Sequence, residues 1–110
     1  MKYKIQIDKN FSKEFKFLQK KYPSLKADFQ SVLDNIEKEL ALAVDLGNGF
    51  KKIRIAIKSK NKGSSGGGRI ITYESIIAIN EANLIFASIY DKNEFETIDI
   101  AVLKKNLELN

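Results

Sequence analysis

The apolar residues change their spacing twice along this chain, and that change limits the fold more than any other feature. Tyr3, Ile5 and Ile7 alternate with Lys2, Lys4 and Gln6, the period of two that a half-buried strand requires. From Phe11 the step lengthens to three and four. Phe11, Phe15, Leu18 and Tyr22 share one helical face, and Pro23 ends that helix. Ser24 is a candidate N-cap for the next helix. There Leu25, Phe29, Val32, Leu33, Ile36, Leu40 and Val44 mark one face, and Gly47 is the stop. The period then returns to two at Ile53, Ile55 and Ile57, with Lys52, Arg54 and Lys58 on the alternate positions. SKNKGSSGGG is too polar and glycine-rich to continue the strand. RIITYESIIAI reads as a long strand, NEAN as a turn and LIFASIYD as a further strand. KNEFET connects to a short helix that begins at Asp99 and carries Ile100, Leu103 and Leu107.

The spacing therefore predicts the order β-α-α-β-β-β-α and an α+β fold. Two N-terminal helices with apolar faces to bury should cover one face of a mainly antiparallel four-stranded sheet. The other face should then stay open to display Arg54 and Lys58. A chain of 110 residues, 44% hydrophobic, is expected to be one domain over 1–110.

Composition removes several kinds of chemistry. Without cysteine there is no disulfide and no thiolate nucleophile. Without histidine the commonest general base near neutral pH and the commonest metal ligand are gone. The acidic residues are scattered, with no pair at a catalytic or metal-ligand spacing, so neither a metal nor a cofactor is expected. No apolar run approaches the roughly 20 residues of a membrane helix. The opening MKYKIQIDKN lacks the apolar centre of a signal peptide, so a cytoplasmic location is expected.

The charge is local. Of the 19 basic and 14 acidic residues, seven basic and one acidic fall in 51–74, leaving 12 and 13 elsewhere. The seven are Lys51, Lys52, Arg54, Lys58, Lys60, Lys62 and Arg69, and residues 51–73 hold no Asp or Glu. A strand edge guarded by lysine needs no such exclusion of acids. A focused basic patch is what a polyanion site requires. The GSSGGG run is not a nucleotide P-loop, since no Gly-Lys-Ser/Thr follows it. Its glycines let backbone N–H groups and flanking lysines approach a phosphate closely. Tyr90, at the end of the last strand, is a ring that can stack on a base.

Together these residues resemble the RelE/ParE superfamily of bacterial toxins, most of all the HigB-like branch of RelE-type toxins. Lys51-Lys52-Ile53-Arg54-Ile55-Ala56 matches the opening of the family pattern. Lys62-Gly63 and Ser65-Gly66-Gly67-Gly68-Arg69-Ile70-Ile71 match its middle, and Tyr90-Asp91-Lys92-Asn93-Glu94 matches its end. Two positions depart from it. Asn61 stands where a glycine is usual, and Ser64 where a lysine is common, which removes one phosphate contact or proton-transfer group.

The resemblance implies a RelE-like fold, with two helices on a twisted, mainly antiparallel sheet. It implies the toxin of a type II toxin–antitoxin system, an endoribonuclease (mRNA interferase) that cuts mRNA on the ribosome. The implied partners are a cognate antitoxin, of helix-turn-helix type, and the ribosome with its mRNA. The implied chemistry is metal-free in-line attack of the 2′-OH on the adjacent phosphate, giving a cyclic phosphate and a 5′-OH. Such attack needs a proton acceptor, positive charge on the phosphate oxygens and an acid for the leaving oxygen. The candidate catalytic residues are Arg69, Lys60, Lys62 and Tyr90, with Arg69 foremost because its guanidinium donates in pairs. The candidate RNA-binding residues are Arg54, Lys58, Lys52 and Lys92. A ParE-like inhibitor of DNA gyrase and a non-catalytic RNA-binding relative are the alternatives, because a shared fold does not settle function.

Overall fold

The computed structural model describes residues 1–60, 66–94 and 99–109. Asn61, Lys62, Gly63, Ser64 and Ser65 lie outside them, so neither the catalytic assignment of Lys62 nor the departures at Asn61 and Ser64 fall on described residues.

The chain opens with β1 (Lys2–Ile7) and α1 (Lys9–Lys21). Asp8 starts the helix by accepting the Asn10 N–H at 3.0 Å, which satisfies one of the free donors of the first turn. The chain extends again at Tyr22, immediately before Pro23. Next come α2 (Leu25–Asp34) and α3 (Ile36–Leu42), two helices where the spacing predicts one. The break is at Asn35, whose Nδ2 donates to the Ser31 carbonyl at 2.9 Å while its own backbone leaves the helical region. Ser24 is not a side-chain cap. Its hydroxyl donates to Asp28 Oδ2 at 2.6 Å instead.

Val44, expected on a helical face, begins a strand. β2 (Val44–Gly47) and β3 (Phe50–Ile55) form a hairpin that turns at Gly47, Asn48 and Gly49, all with positive φ. A Cβ on Gly49 would lie 2.9 Å from the Glu74 carbonyl oxygen, so the turn admits no side chain there. A 3₁₀ turn, Lys58–Lys60, leads away from β3. β4 (Gly68–Ala78) and β5 (Glu81–Asp91) form a long hairpin turning at Asn80, so Glu81, Ala82 and Asn83 belong to the strand and not to the turn. α4 (Ile100–Asn106) is capped by the Asp99 carboxylate.

Among the described residues the sheet has five strands, in the order β1-β5-β4-β3-β2. β1 runs parallel to β5 and the other neighbours are antiparallel. The α+β class agrees with the spacing, and the fifth strand is the short β2. Leu18, Leu25, Val32 and Leu40 pack with Ile53, Ile55, Ile70, Leu84 and Phe86 on one face. Phe15, Phe29, Leu33 and Ile36 join that core from its margin. The ring of Phe29 meets those of Phe11 and Phe86 with centroids 5.2 Å apart, edge-on to Phe86.

The opposite face is not open as expected. Leu103 of α4 packs there with Phe50, Ile71, Ala87 and Tyr90. β1 covers β5 only as far as Phe86, and side chains of α1 cap the edge beyond it. Asn10 Nδ2 donates to the Ala87 carbonyl at 3.3 Å, and Glu14 Oε1 accepts the Ile89 N–H at 3.3 Å and the Ser88 hydroxyl at 2.8 Å. Burial raises the Glu14 pKa, against the lowering effect of those two hydrogen bonds. No helix among the described residues is long and apolar enough to cross a membrane.

Candidate nucleic-acid interface

The registers of β3, β4 and β5 assemble three of the candidates. Arg54 lies opposite Arg69, and Arg69 opposite Tyr90. Directly opposed residues share one face, so the three form a row across the sheet. Arg54 is exposed at the outer end. Arg69, 8% exposed, and Tyr90, 3% exposed, lie progressively deeper beside the apolar patch under α4. Arg69 Nη1 donates to the Gly68 carbonyl at 2.9 Å. Burial, and then the charge of Arg54, lower the Arg69 pKa, while Tyr90 acts in the opposite sense. Burial raises the Tyr90 pKa against the influence of Arg69, so the phenol stays protonated at neutral pH and keeps its proton to donate. Like charges facing each other across strands are unfavourable, and an anion bridging them relieves the repulsion.

Lys52 on β3 and Lys58 in the 3₁₀ turn beyond it lie on either side of Arg54 along the chain. Lys52 and Arg54 line a depression of roughly 440 Å³ with Glu39, Leu42 and Val44. Arg54 also lines a second one, roughly 190 Å³, with Lys58, Ala56 and Ser31. Arg54 and Lys58 do not share a strand, as their spacing suggests, because β3 ends at Ile55 and Lys58 begins the 3₁₀ turn. The Lys58 N–H donates to Asp28 Oδ2 at 3.1 Å, which ties that turn to α2. Lys92 is exposed in the turn after β5, and its N–H donates to the Gly67 carbonyl at 3.2 Å.

Lys60 is placed differently from the other candidates. Its ammonium lies 2.7 Å from Asp91 Oδ1, with the two side chains only 5% and 2% exposed. It also donates to the Gly67 carbonyl at 3.2 Å and sits 5.6 Å from the centre of the Tyr22 ring. Tyr22 donates its hydroxyl to Asp91 Oδ2 at 2.6 Å. Burial pushes the Asp91 carboxyl up. Hydrogen bonds from Lys60, Tyr22 and the Asn93 N–H, and the Lys60 charge, outweigh it and bring its pKa down to about 2. The hydrogen bond to Asp91, then burial, raise the Tyr22 pKa.

The structure thus brings Arg54, Arg69 and Tyr90 together, with Lys52 and Lys58 beside them, and draws Lys60 into a buried ion pair. Asp91 and Tyr22, which hold Lys60, went unrecognised as its partners. They stand 31 and 38 positions from it, and no local spacing signals a contact of that range. Among the described residues no group of three His, Cys, Asp or Glu side chains is placed to hold a metal ion. Neither a scan against protein-family models nor a search of curated proteins finds a match to this chain.

Proposed function

We propose that this chain is a RelE-type toxin of a type II toxin–antitoxin pair, a ribosome-dependent mRNA endoribonuclease. One observation carries the proposal: Arg54, Arg69 and Tyr90 form a cross-strand row beside Gly68, with Lys52 and Lys58 flanking it. The α+β architecture, with helices on one face of a mainly antiparallel sheet, supports it, as do the motifs that resemble the HigB-like branch.

In this reading Arg54, Lys52 and Lys58 bind successive phosphates. Arg69 donates to the scissile phosphate as negative charge builds on its oxygens, and partial burial strengthens that interaction. Tyr90 donates its phenol proton at the same place. Lys60 is committed to Asp91, which leaves removal of the 2′-OH proton to other lysines of the basic run. The antitoxin, of helix-turn-helix type, neutralises the toxin by covering the basic row with acidic and apolar side chains.

The test is ribosome-dependent mRNA cleavage by wild type and Arg69→Ala, both verified as folded. Losing one such donor lowers the rate by on the order of a hundredfold or more. Equal rates would remove Arg69 from the site. If wild type cuts no mRNA and inhibits gyrase, the ParE-like alternative replaces this function.

A further inference from the structure

We infer that Lys60, Asp91 and Tyr22 form a positioning cluster that sets Arg69 at the RNA surface, and that Lys60 is not itself a phosphate ligand. The inference rests on the RNA-binding function proposed above. Three elements meet at the Asp91 carboxylate: Tyr22 just beyond α1, Lys60 closing the 3₁₀ turn, and the end of β5 itself. Lys60 precedes the glycine-rich stretch, Gly67 lies near its end, and the Lys60 ammonium donates to the Gly67 carbonyl directly. The Lys92 N–H holds the same carbonyl. Gly67 is two residues from Arg69.

Gly68 pairs with Asp91, and Arg69 with Tyr90, so the carboxylate is one residue from the cross-strand partner of Arg69. A Cβ on Gly68 would lie 2.9 Å from the Tyr90 carbonyl oxygen, so β4 begins in close backbone contact with β5. A shift at Asp91 therefore moves the start of β4 and the guanidinium with it. The Lys60 charge, by contrast, is neutralised by its buried partner and contributes little field at a phosphate beyond it.

Affinity for a short single-stranded RNA oligonucleotide tests this with Asp91→Asn and Tyr22→Phe, at a temperature where circular dichroism shows every variant folded. Asp91→Asn removes a negative charge, so electrostatics alone would tighten RNA binding. The positioning role requires the reverse. Affinity falls on the order of tenfold, the scale of losing a partner that orients a contacting group. Tyr22→Phe, which changes no charge, gives a smaller loss in the same direction and serves if Asp91→Asn does not fold. Both effects vanish in an Arg69→Ala background, because they act through Arg69. Tighter binding by Asp91→Asn, unchanged affinity in both variants, or effects that persist without Arg69 would each overturn the inference. A wild-type chain that does not bind the RNA removes the functional proposal itself, an outcome distinct from these.

Discussion

Arg69 and Asp91 occupy neighbouring strands at the same end of the sheet, yet their surroundings are opposite. Arg69 faces Arg54 across one strand and Tyr90 across the other, so like charges confront each other on the side toward α4. Asp91 is ringed by Lys60, Tyr22 and the Asn93 N–H, a cluster in which the opposite charges are matched. The first arrangement is the one to which the proposed function assigns anion binding. The second uses up its charge inside the protein. Lys60 and Arg69 come from one acid-free run of sequence, so basic density alone does not tell which cation is drawn into a buried ion pair. What marks Lys60 is the buried carboxylate that waits where the chain delivers its side chain.

The sharpest test of the contrast is stability. Lys60→Met leaves the Asp91 carboxylate buried without its cation and should cost about 3–5 kcal/mol in denaturant unfolding. The double variant Lys60→Met/Asp91→Leu, with an apolar pair in place of the ionic one, should recover most of that. A loss below about 1 kcal/mol for Lys60→Met would put this pair with ordinary surface pairs and erase the distinction.

Acid should act on the same cluster more gently. The folded pKa of Asp91, about 2, lies below the usual 3.8. Its contribution is therefore complete above about pH 4 and lost as pH falls through 2, on the order of 2 kcal/mol in all. Glu14, whose folded pKa is raised, contributes in the opposite sense, so the comparison is between wild type and Asp91→Asn. The acid-induced loss should be smaller in the variant. Equal slopes would mean that the carboxylate is not held as described.

The smallest stability effect belongs to the other region. Arg54→Ala should leave the unfolding midpoint unchanged or slightly raised, since it removes a repulsion with Arg69. The salt dependence of single-stranded RNA binding should weaken by about 0.7 in log–log slope, one phosphate contact. A clear loss of stability with an unchanged slope would make Arg54 a structural residue and merge the two regions.

Much of the fold is legible in residue spacing, because burial of one face repeats along an element. The Phe11–Leu18 stripe, the Ile53–Ile55 alternation and the Asp99 cap each appear where the pattern puts them. The pattern fails where a single side chain overrides it. Asn35 bonds back to Ser31 and splits a helix whose apolar stripe runs on unbroken. Gly47-Asn48-Gly49 between two short apolar runs is a hairpin signal that the stripe through Val44 conceals. The site divides in the same way. The register that sets Arg69 and Tyr90 beside Arg54 appears only in the structure, while the outward position of Arg54 itself follows from strand alternation. Lys60 does not follow from alternation, since its role depends on a carboxylate 31 residues later and a tyrosine 38 residues earlier. Nor does α4 over the second face, because an amphipathic helix does not specify which side of a sheet it will cover.

The placement of β5 between β1 and β4 also orders assembly in time. Lys2 is paired with Glu81 and Ile7 with Phe86, so the first strand waits for one nearly eighty residues downstream. On a chain still being synthesised, the helices and the β2–β3 hairpin can form from local contacts, while β1 has no neighbour. Closing so long a loop is entropically slow, and until it closes the backbone donors and acceptors of β1 and of the β5 edge lack their strand partners. Nascent chains interrupted before Glu81 should therefore be far more prone to aggregate than those interrupted after Asp91, with little dependence on α4.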